Sequence, residues 1–155
     1  MLKEILTRAV LSKGKIDSKE TVKIESKQAP SKLIGCWIIN NHYLPIVENE
    51  ELFLEGSYDI HLWYAISEDK DSTLEKKTIQ YKTRVGFDEK INCNEVDFKV
   101  YCNEYPHCLN MEIVDGKALL NIVQKYSIDA IGETKFVVDV NEGFNEIKID
   151  TEYIG

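Results

Sequence analysis

Three cysteines and one histidine in the second half of the chain are the residues whose types could bind a metal ion. Cys93, Cys102, His107 and Cys108 offer thiolate and imidazole groups, which are good zinc ligands. Structural zinc sites hold their ligands as pairs two to four residues apart on a tight turn, and no Cys-x-x-Cys occurs in this sequence. We therefore predict no metal site and interpret these residues as half-buried thiols beside a loop histidine.

Cys36 is the candidate for a catalytic nucleophile. It is followed by Trp37, as in papain-like proteases, and His107 lies downstream in the expected chain order. The Cys-Gly-Ser that precedes the nucleophile in that class is absent. The surrounding pattern is also that of a strand, whereas an activated thiolate needs a setting such as a helix N-terminus. We therefore interpret Cys36 as a core residue.

Other catalytic signatures give no candidate. The sequence has no glycine-rich phosphate loop, no Gly-x-Ser-x-Gly and no His-Glu-x-x-His. Asp59 or Glu133 could pair with another acid, but abundant carboxylates are typical of an acidic surface. We predict no catalytic residue, no cofactor and no enzymatic activity.

The elements that position these residues are strands, and the clearest of them spans residues 56–65. An apolar set and a polar set alternate there with a period of two, as in a half-buried strand: Tyr58, Ile60, Leu62 and Tyr64 against Asp59, His61 and Trp63. Because Trp63 is the apolar member of the polar set, we predict that a second layer covers it. The alternative is a small-ligand or carbohydrate-binding module whose site contains Trp63, Tyr64 and nearby acids.

The rest of the chain favours an all-β fold. The apolar run at residues 33–39 predicts burial on both faces, residues 67–72 predict a turn between strands, and Asp115-Gly116 predicts a hairpin. Eight or nine short strands of this kind predict an antiparallel β-sandwich. We expect three segments: a basic N-terminal helix and arm at 1–32, the sandwich domain at 33–140, and an acidic C-terminal segment at 141–155.

Apolar residues near the N-terminus recur at helical spacing, and Gly14 lies beyond the last of them. This pattern predicts a short amphipathic helix. A helix of about three turns is marginal alone, so its apolar stripe needs a surface to cover. We predict that the stripe docks on a neighbouring subunit and drives oligomerisation. Its residues are Leu2, Ile5, Leu6, Ala9 and Val10.

Charge is unevenly distributed along the chain, whose net charge is −8. Residues 1–34 carry eight Lys or Arg against four acids, a local charge of +4, and residues 35–155 carry eleven against twenty-three, a local charge of −12. This pattern predicts a basic arm on an acidic body. An acidic body argues against a nucleic-acid partner, because phosphate binding needs a basic surface.

The hydrophobic pattern argues against a membrane segment. No apolar run reaches the roughly 18 residues that a spanning helix needs, and the N-terminus lacks the apolar centre and cleavage site of a secretory signal. We therefore expect no membrane insertion and a cytoplasmic origin. In that compartment the four cysteines are expected to be reduced thiols.

Two segments carry a resemblance to a known family. Residues 35–43 read Gly-Cys-Trp-Ile-Ile-Asn-Asn-His-Tyr, and residues 56–64 read Gly-Ser-Tyr-Asp-Ile-His-Leu-Trp-Tyr. In this order they resemble the CotE family of outer spore coat morphogenetic proteins, and residues 4–10 and 131–140 are similar to that family's ends. The resemblance implies a non-enzymatic scaffold that assembles in the mother-cell cytoplasm around the developing spore and then belongs to the spore coat.

The resemblance also implies the partners. They are further copies of the chain, other spore coat proteins and the basement layer of the coat, and the end of the chain is implied to recruit outer coat proteins. We expect this end to be an extended segment that adds to a partner's sheet. Its predicted contacts are Phe144, Ile147, Ile149, Tyr153 and Ile154.

Overall fold

The computed structural model describes residues 1–140 and 147–153. These residues form eight strands and no helix: β1 (Leu2–Ile24), β2 (Lys32–Glu48), β3 (Glu51–Ile66), β4 (Asp71–Arg84), β5 (Gly86–Phe87), β6 (Asp97–Val114), β7 (Lys117–Val140) and β8 (Ile147–Tyr153). One antiparallel sheet has the order β5-β1-β7-β6 with β8 beside β7, and the other has the order β2-β3-β4. The all-β prediction is therefore confirmed. Within this described part, no helix could span a membrane.

The inner faces of the two sheets share an apolar core. The predicted buried side of β3 is confirmed, since its four inward residues are at most 1% exposed: Tyr58, Ile60, Leu62 and Tyr64. They cluster with residues of the facing sheet: Val22, Ile24, Ala118, Leu120 and Ile122. A second cluster joins the start of β3 to β1 and β7. It contains Leu52 and Leu54 of β3, Ile16 of β1, and Tyr126 and Ile128 of β7. We call this two-layer, sandwich-like part, from Ser12 to Ala130, the body.

The predicted N-terminal helix is wrong. Those residues belong to β1, which pairs with β7 from Leu2 opposite Asp139 to Ile24 opposite Ala118. Helical spacing over ten residues is a weak local signal, and the tertiary pairing with a long strand outweighs it. The five apolar residues do not form one stripe, because a strand distributes them over both of its faces.

The predicted cover over Trp63 is also wrong. The Trp63 side chain is 43% exposed, and the neighbouring Trp37 is 50% exposed. Both lie on the outer face of the three-stranded sheet, since their chain neighbours Leu62 and Cys36 face the core. Burial on both faces of residues 33–39 fails for the same reason: β2 packs one face on the core and turns the other to solvent.

The two turn predictions are confirmed. Asp115 and Gly116 have φ values of 51° and 75° and join β6 to β7, which is the geometry that a two-residue hairpin needs. The polar segment at residues 67–70 joins β3 to β4, and Ser67, Glu68 and Asp69 all have positive φ there. These turns fix the register of the long strands on either side of them.

Candidate assembly surface

One end of the larger sheet continues beyond the two core clusters. It consists of residues 2–10 of β1, residues 131–140 of β7 and all of β8, and we call it the extension. Neither core cluster includes a residue of β1 before Ile16. Leu2 and Leu6 are 70% and 64% exposed, whereas inward residues of the body are almost fully covered. The β1 part of the extension therefore presents exposed apolar side chains, whereas Thr134 and Val138 of its β7 part are buried.

A β-bulge at Leu11 separates the extension from the body. The register of β1 on β7 shifts between Val10 and Ser12, which leaves Leu11 as the additional residue. The Leu11 side chain lies over Gly132, where an added Cβ would come within 2.6 Å of Leu11 Cδ1. Leu11 thus covers the end of the body. Because the bulge adds one residue, the alternation of β1 side chains between the two faces of the sheet is reversed before and after it.

The loop after β5 secures the same junction. The buried Ser12 Oγ lies 2.8 Å from both Asp88 Oδ1 and the Glu89 carbonyl oxygen, which share its one hydroxyl proton, and the Lys13 amide donates to Asp88 Oδ1 at 2.9 Å. These bonds, the one from the Lys13 amide first, lower the pKa of Asp88 below its usual value. The junction is therefore held by charge-assisted hydrogen bonds as well as by packing.

The predicted oligomerisation residues all lie in the extension, and the strand divides them between its two faces. Leu2, Leu6 and Val10 share one face, and Ile5 and Ala9 share the other. The face of Leu6 also carries ion pairs: Lys135 Nζ lies 2.7 Å from Glu4 Oε1, and Arg8 pairs with Asp97. Apolar and charged residues alternate along this face, in the order Leu2, Glu4, Leu6, Arg8 and Val10.

The outer edge of β1 is open in the extension. On that side β1 pairs only with β5, at Gly14 and Lys15, so residues 2–10 have no strand partner there in the part of the chain that the structure describes. Nine residues of strand are about 30 Å long. An exposed edge of this length presents unpaired backbone donors and acceptors, which is a template for pairing with another strand.

The opposite edge of the extension is formed by β8. Three of the predicted partner-binding residues lie in this strand, where Ile147, Ile149 and Tyr153 pair with Val140, Val138 and Thr134 of β7. The segment is extended, as expected, and is paired with its own chain. The other two predicted residues, Phe144 and Ile154, lie outside the described residues.

The structure does not bring together the residues of the alternative ligand site. Trp63 points to solvent, whereas Tyr64 faces the core and is 1% exposed. The neighbour of Trp63 is instead Trp37, whose ring centroid lies 6.2 Å away. Gly35 makes room for it, since a Cβ there would lie 3.1 Å from the Trp37 ring. The alternation Gly35, Trp37, Ile39 was the sequence signal that could have identified this exposed aromatic pair.

The four candidate metal ligands, Cys93, Cys102, His107 and Cys108, do not form one cluster. Cys93 is buried and Cys102 is exposed, while burial raises the pKa of the Cys36 thiol to about 12. Across residues 1–140 and 147–153, no three side chains of His, Cys, Asp or Glu come together in a way that would hold a metal ion. A thiol with so high a pKa is almost entirely protonated at neutral pH, so Cys36 lacks the activation that a catalytic nucleophile needs.

A polar network inside the body escaped the sequence analysis. A second bulge, between Ile39 and His42 of β2, allows Asn41 to reach across the body, where its Nδ2 donates to Tyr126 Oη at 2.8 Å. Tyr126 Oη donates to Gln124 Oε1 at 2.8 Å, and Tyr81 Oη donates to Asn41 Oδ1 at 3.0 Å. Burial raises the pKa of Tyr126 well above its usual value. The network ties the two sheets together and has no exposed reactive group.

Comparison with known proteins gives one result for the whole chain. A family model described as outer spore coat protein E (CotE) matches residues 1–154. No curated protein and no solved structure gives a significant match.

Proposed function

We propose that this chain, which belongs to the outer spore coat protein E (CotE) family, is a structural scaffold that assembles with further copies of itself and recruits other coat proteins. Family membership indicates an outer spore coat protein, and the family is structural rather than enzymatic. The assembly steps are our proposal. They begin in the mother-cell cytoplasm and end in the spore coat, where the basement layer is the surface on which the scaffold is built.

The open edge of β1 carries the self-assembly proposal, because its residue order is self-complementary. If two copies pair their edges antiparallel with Leu6 opposite Leu6, then Glu4 lies opposite Arg8, and Leu2 lies opposite Val10. All of these residues share one face of the extension, so each apolar residue meets an apolar residue and each charge meets its opposite. Such a pairing is two-fold symmetric, which is the commonest symmetry of homo-oligomers.

Burial of apolar area stabilises this contact, and charge accelerates its formation. Leu2 and Leu6 lose exposed surface, at roughly 25 cal/mol for each Å². Exposed ion pairs add little, since water and salt screen them over about 8 Å at physiological ionic strength. Raising the salt concentration should therefore slow assembly more than it weakens the finished oligomer.

The test of this proposal is the mass of the purified full chain by light scattering. We expect a species that is large or depends on concentration, and we expect Leu6→Asp to reduce its mass, because two carboxylates would then face each other at the centre of the pairing. Leu109→Asp is the matched control, since Leu109 is also exposed, at 54%, but lies on β6. Equal masses for Leu6→Asp and the parent would refute edge pairing.

Recruitment of other coat proteins is proposed for the C-terminal segment. Phe144, Ile147, Ile149, Tyr153 and Ile154 remain its predicted contacts. The support is the position of β8, which forms the second edge of the extension and, among residues 1–140 and 147–153, pairs only with β7. Deleting residues 142–155 should abolish pull-down of outer coat proteins while leaving the fold of the body intact. Unchanged pull-down would show that recruitment uses another surface.

The exposed Trp37–Trp63 pair favours one second candidate, a carbohydrate-binding module. Indole faces on a flat sheet surface suit stacking with a sugar ring, and both rings are about half exposed. Titration with soluble polysaccharide, followed by tryptophan fluorescence, would test this function. A saturable change that Trp37→Ala removes would support a binding module, whereas an unchanged spectrum would leave the scaffold as the only proposal.

A further inference from the structure

A pair of thiols lies where the two sheets meet along one side of the body. Cys36 belongs to β2, the edge strand of the smaller sheet, and Cys108 belongs to β6, the edge strand of the larger one. Each is half-buried and packs on the main core cluster. Their strand partners, Leu62 and Ile122, are core residues of opposite sheets, so the two thiols approach each other from the two layers.

We call the line along which β2 and β6 meet the seam, and residues of the two strands lie near each other in order along it. At one end Leu33 and Met111 line an open groove of about 340 Å³. Further along, Cys36 and Cys108 both pack on the main core cluster, and each thiol influences the pKa of the other. At the other end the Asn41 amide donates to Tyr105 Oη at 3.1 Å. Along the seam the residue numbers rise from 33 to 41 in β2 and fall from 111 to 105 in β6. Cys36 and Cys108 therefore lie at corresponding positions of the two strands.

The backbone of β6 is irregular on both sides of Cys108. Its register on β7 shifts between Glu104 and His107 and again between Cys108 and Asn110. The Cys108 thiol donates to the Asn110 carbonyl at 3.2 Å, within the second of these bulges. Cys108 therefore lies in a paired segment of only two residues between two bulges, so a small movement of Cys108 toward Cys36 disturbs only a short part of the ladder.

We propose that Cys36 and Cys108 are a disulfide-forming pair that covalently joins the two sheets on oxidation by a small-molecule disulfide. The Cys108 thiolate attacks one sulfur of the oxidant, and one oxidant thiol leaves as a mixed disulfide forms. Cys36 then loses its proton and attacks Cys108 Sγ, which releases the second oxidant thiol. Two protein thiols are oxidised to one disulfide, and the oxidant is reduced to two thiols.

The environment orders the two steps. Burial raises the pKa of both thiols, and the hydrogen bond from Cys36 opposes this rise at Cys108. Cys108 is therefore the thiol that ionises first and attacks first. Cys108 is only half-buried, so a small oxidant has access to its sulfur. Because only the thiolate reacts, the rate should rise with pH by roughly tenfold per unit below the pKa of Cys108.

Oxidised glutathione, added to the purified full chain, tests the pair directly. Thiol titration after unfolding should show that the four cysteines of the chain fall to two, and mass spectrometry of the non-reduced digest should find the Cys36 peptide joined to the Cys108 peptide. Cys36→Ser and Cys108→Ser should each lose this cross-link. Cys102→Ser is the matched control, since Cys102 is an exposed thiol of the same strand, and it should keep the cross-link.

Three results would overturn the proposal: all four thiols persist at every pH, oxidation stops at mixed disulfides with glutathione, or the disulfide joins two chains through Cys102. Cys36→Ala and Cys108→Ala replace the serine variants if a serine hydroxyl disturbs the core. The peptide map of the unmodified chain does not depend on how any variant folds.

Discussion

The body and the extension share the two long strands β1 and β7, yet they expose the same residue types to opposite degrees. Ile60 of the body is 0% exposed, and Ile5 of the extension is 49% exposed. In the body a second sheet covers each inward face, whereas neither core cluster of the described residues includes a residue of 2–10 or 131–140. Apolar residues in the body therefore stabilise the fold of one chain, and the exposed ones of the extension, such as Leu2 and Leu6, are available for a second chain.

The largest expected difference between the two regions lies in the cost of truncating an isoleucine. Ile60→Ala removes a fully buried side chain from the main core cluster and should lower the free energy of unfolding by about 2–5 kcal/mol. Ile5→Ala is the matched change in the extension and should cost well under about 1 kcal/mol in the monomer. Urea titrations of both variants measure this; equal losses would show that the extension is packed like the body.

The body should also be intolerant of small additions. An added Cβ at Gly56 would come within 2.5 Å of both the His42 carbonyl oxygen and the Tyr81 ring. Gly56→Ala should therefore cost about 1–3 kcal/mol through overpacking. Gly86→Ala is the control, since no atom lies within 4 Å of its added Cβ. Thermal unfolding should separate the two variants, and a stable Gly56→Ala variant would contradict the close contact of β2 and β4 over Gly56.

Two tyrosines of the body should respond differently to loss of the hydroxyl. Tyr126→Phe removes the partner of Asn41 and of the buried Gln124, which should cost about 1–3 kcal/mol because those groups lose their hydrogen bonds. Tyr58 Oη is buried and has no hydrogen-bond partner among the described residues. Tyr58→Phe should therefore leave stability unchanged or raise it slightly. Urea titration of both variants measures the difference. A larger loss of stability for Tyr58→Phe than for Tyr126→Phe would contradict a stabilising role of the network.

The smallest predicted effect concerns the junction between the two regions. The pKa of Asp88 is lower in the folded chain than in the unfolded one, so its stabilising contribution is complete above the ordinary Asp pKa. That contribution is lost as the pH falls through the depressed folded value. Asp88→Asn should reduce stability at neutral pH and flatten the acid side of the stability profile, whereas the exposed Glu95→Gln in the same loop should not. Parallel profiles for Asp88→Asn and the parent would argue against these bonds.

The sequence predicted the body well because its signals there are local. Alternation in residues 56–65 identified the buried side of β3, and Asp115-Gly116 identified the hairpin between β6 and β7. Both signals depend on neighbouring residues alone. The helix prediction for residues 2–10 failed because the partner strand lies more than a hundred residues away in the chain. The proposed assembly site could be predicted only in part: the sequence shows the apolar residues of the N-terminus, but only the register on β7 shows which of them share a face and that the described part of β1 has an open edge.

Charge reversal across the proposed edge pairing tests the central claim most directly, because it separates contacts between copies from those within one. Arg8→Glu should lower the mass of the assembled species in light scattering, since it places Glu4 opposite a second carboxylate. The double variant Glu4→Arg with Arg8→Glu restores opposite charges between copies while leaving Lys135 and Asp97 mismatched within each copy. We predict that the double variant recovers the parent's mass. A double variant that remains as small as Arg8→Glu, or an Arg8→Glu variant with the parent's mass, would contradict the account.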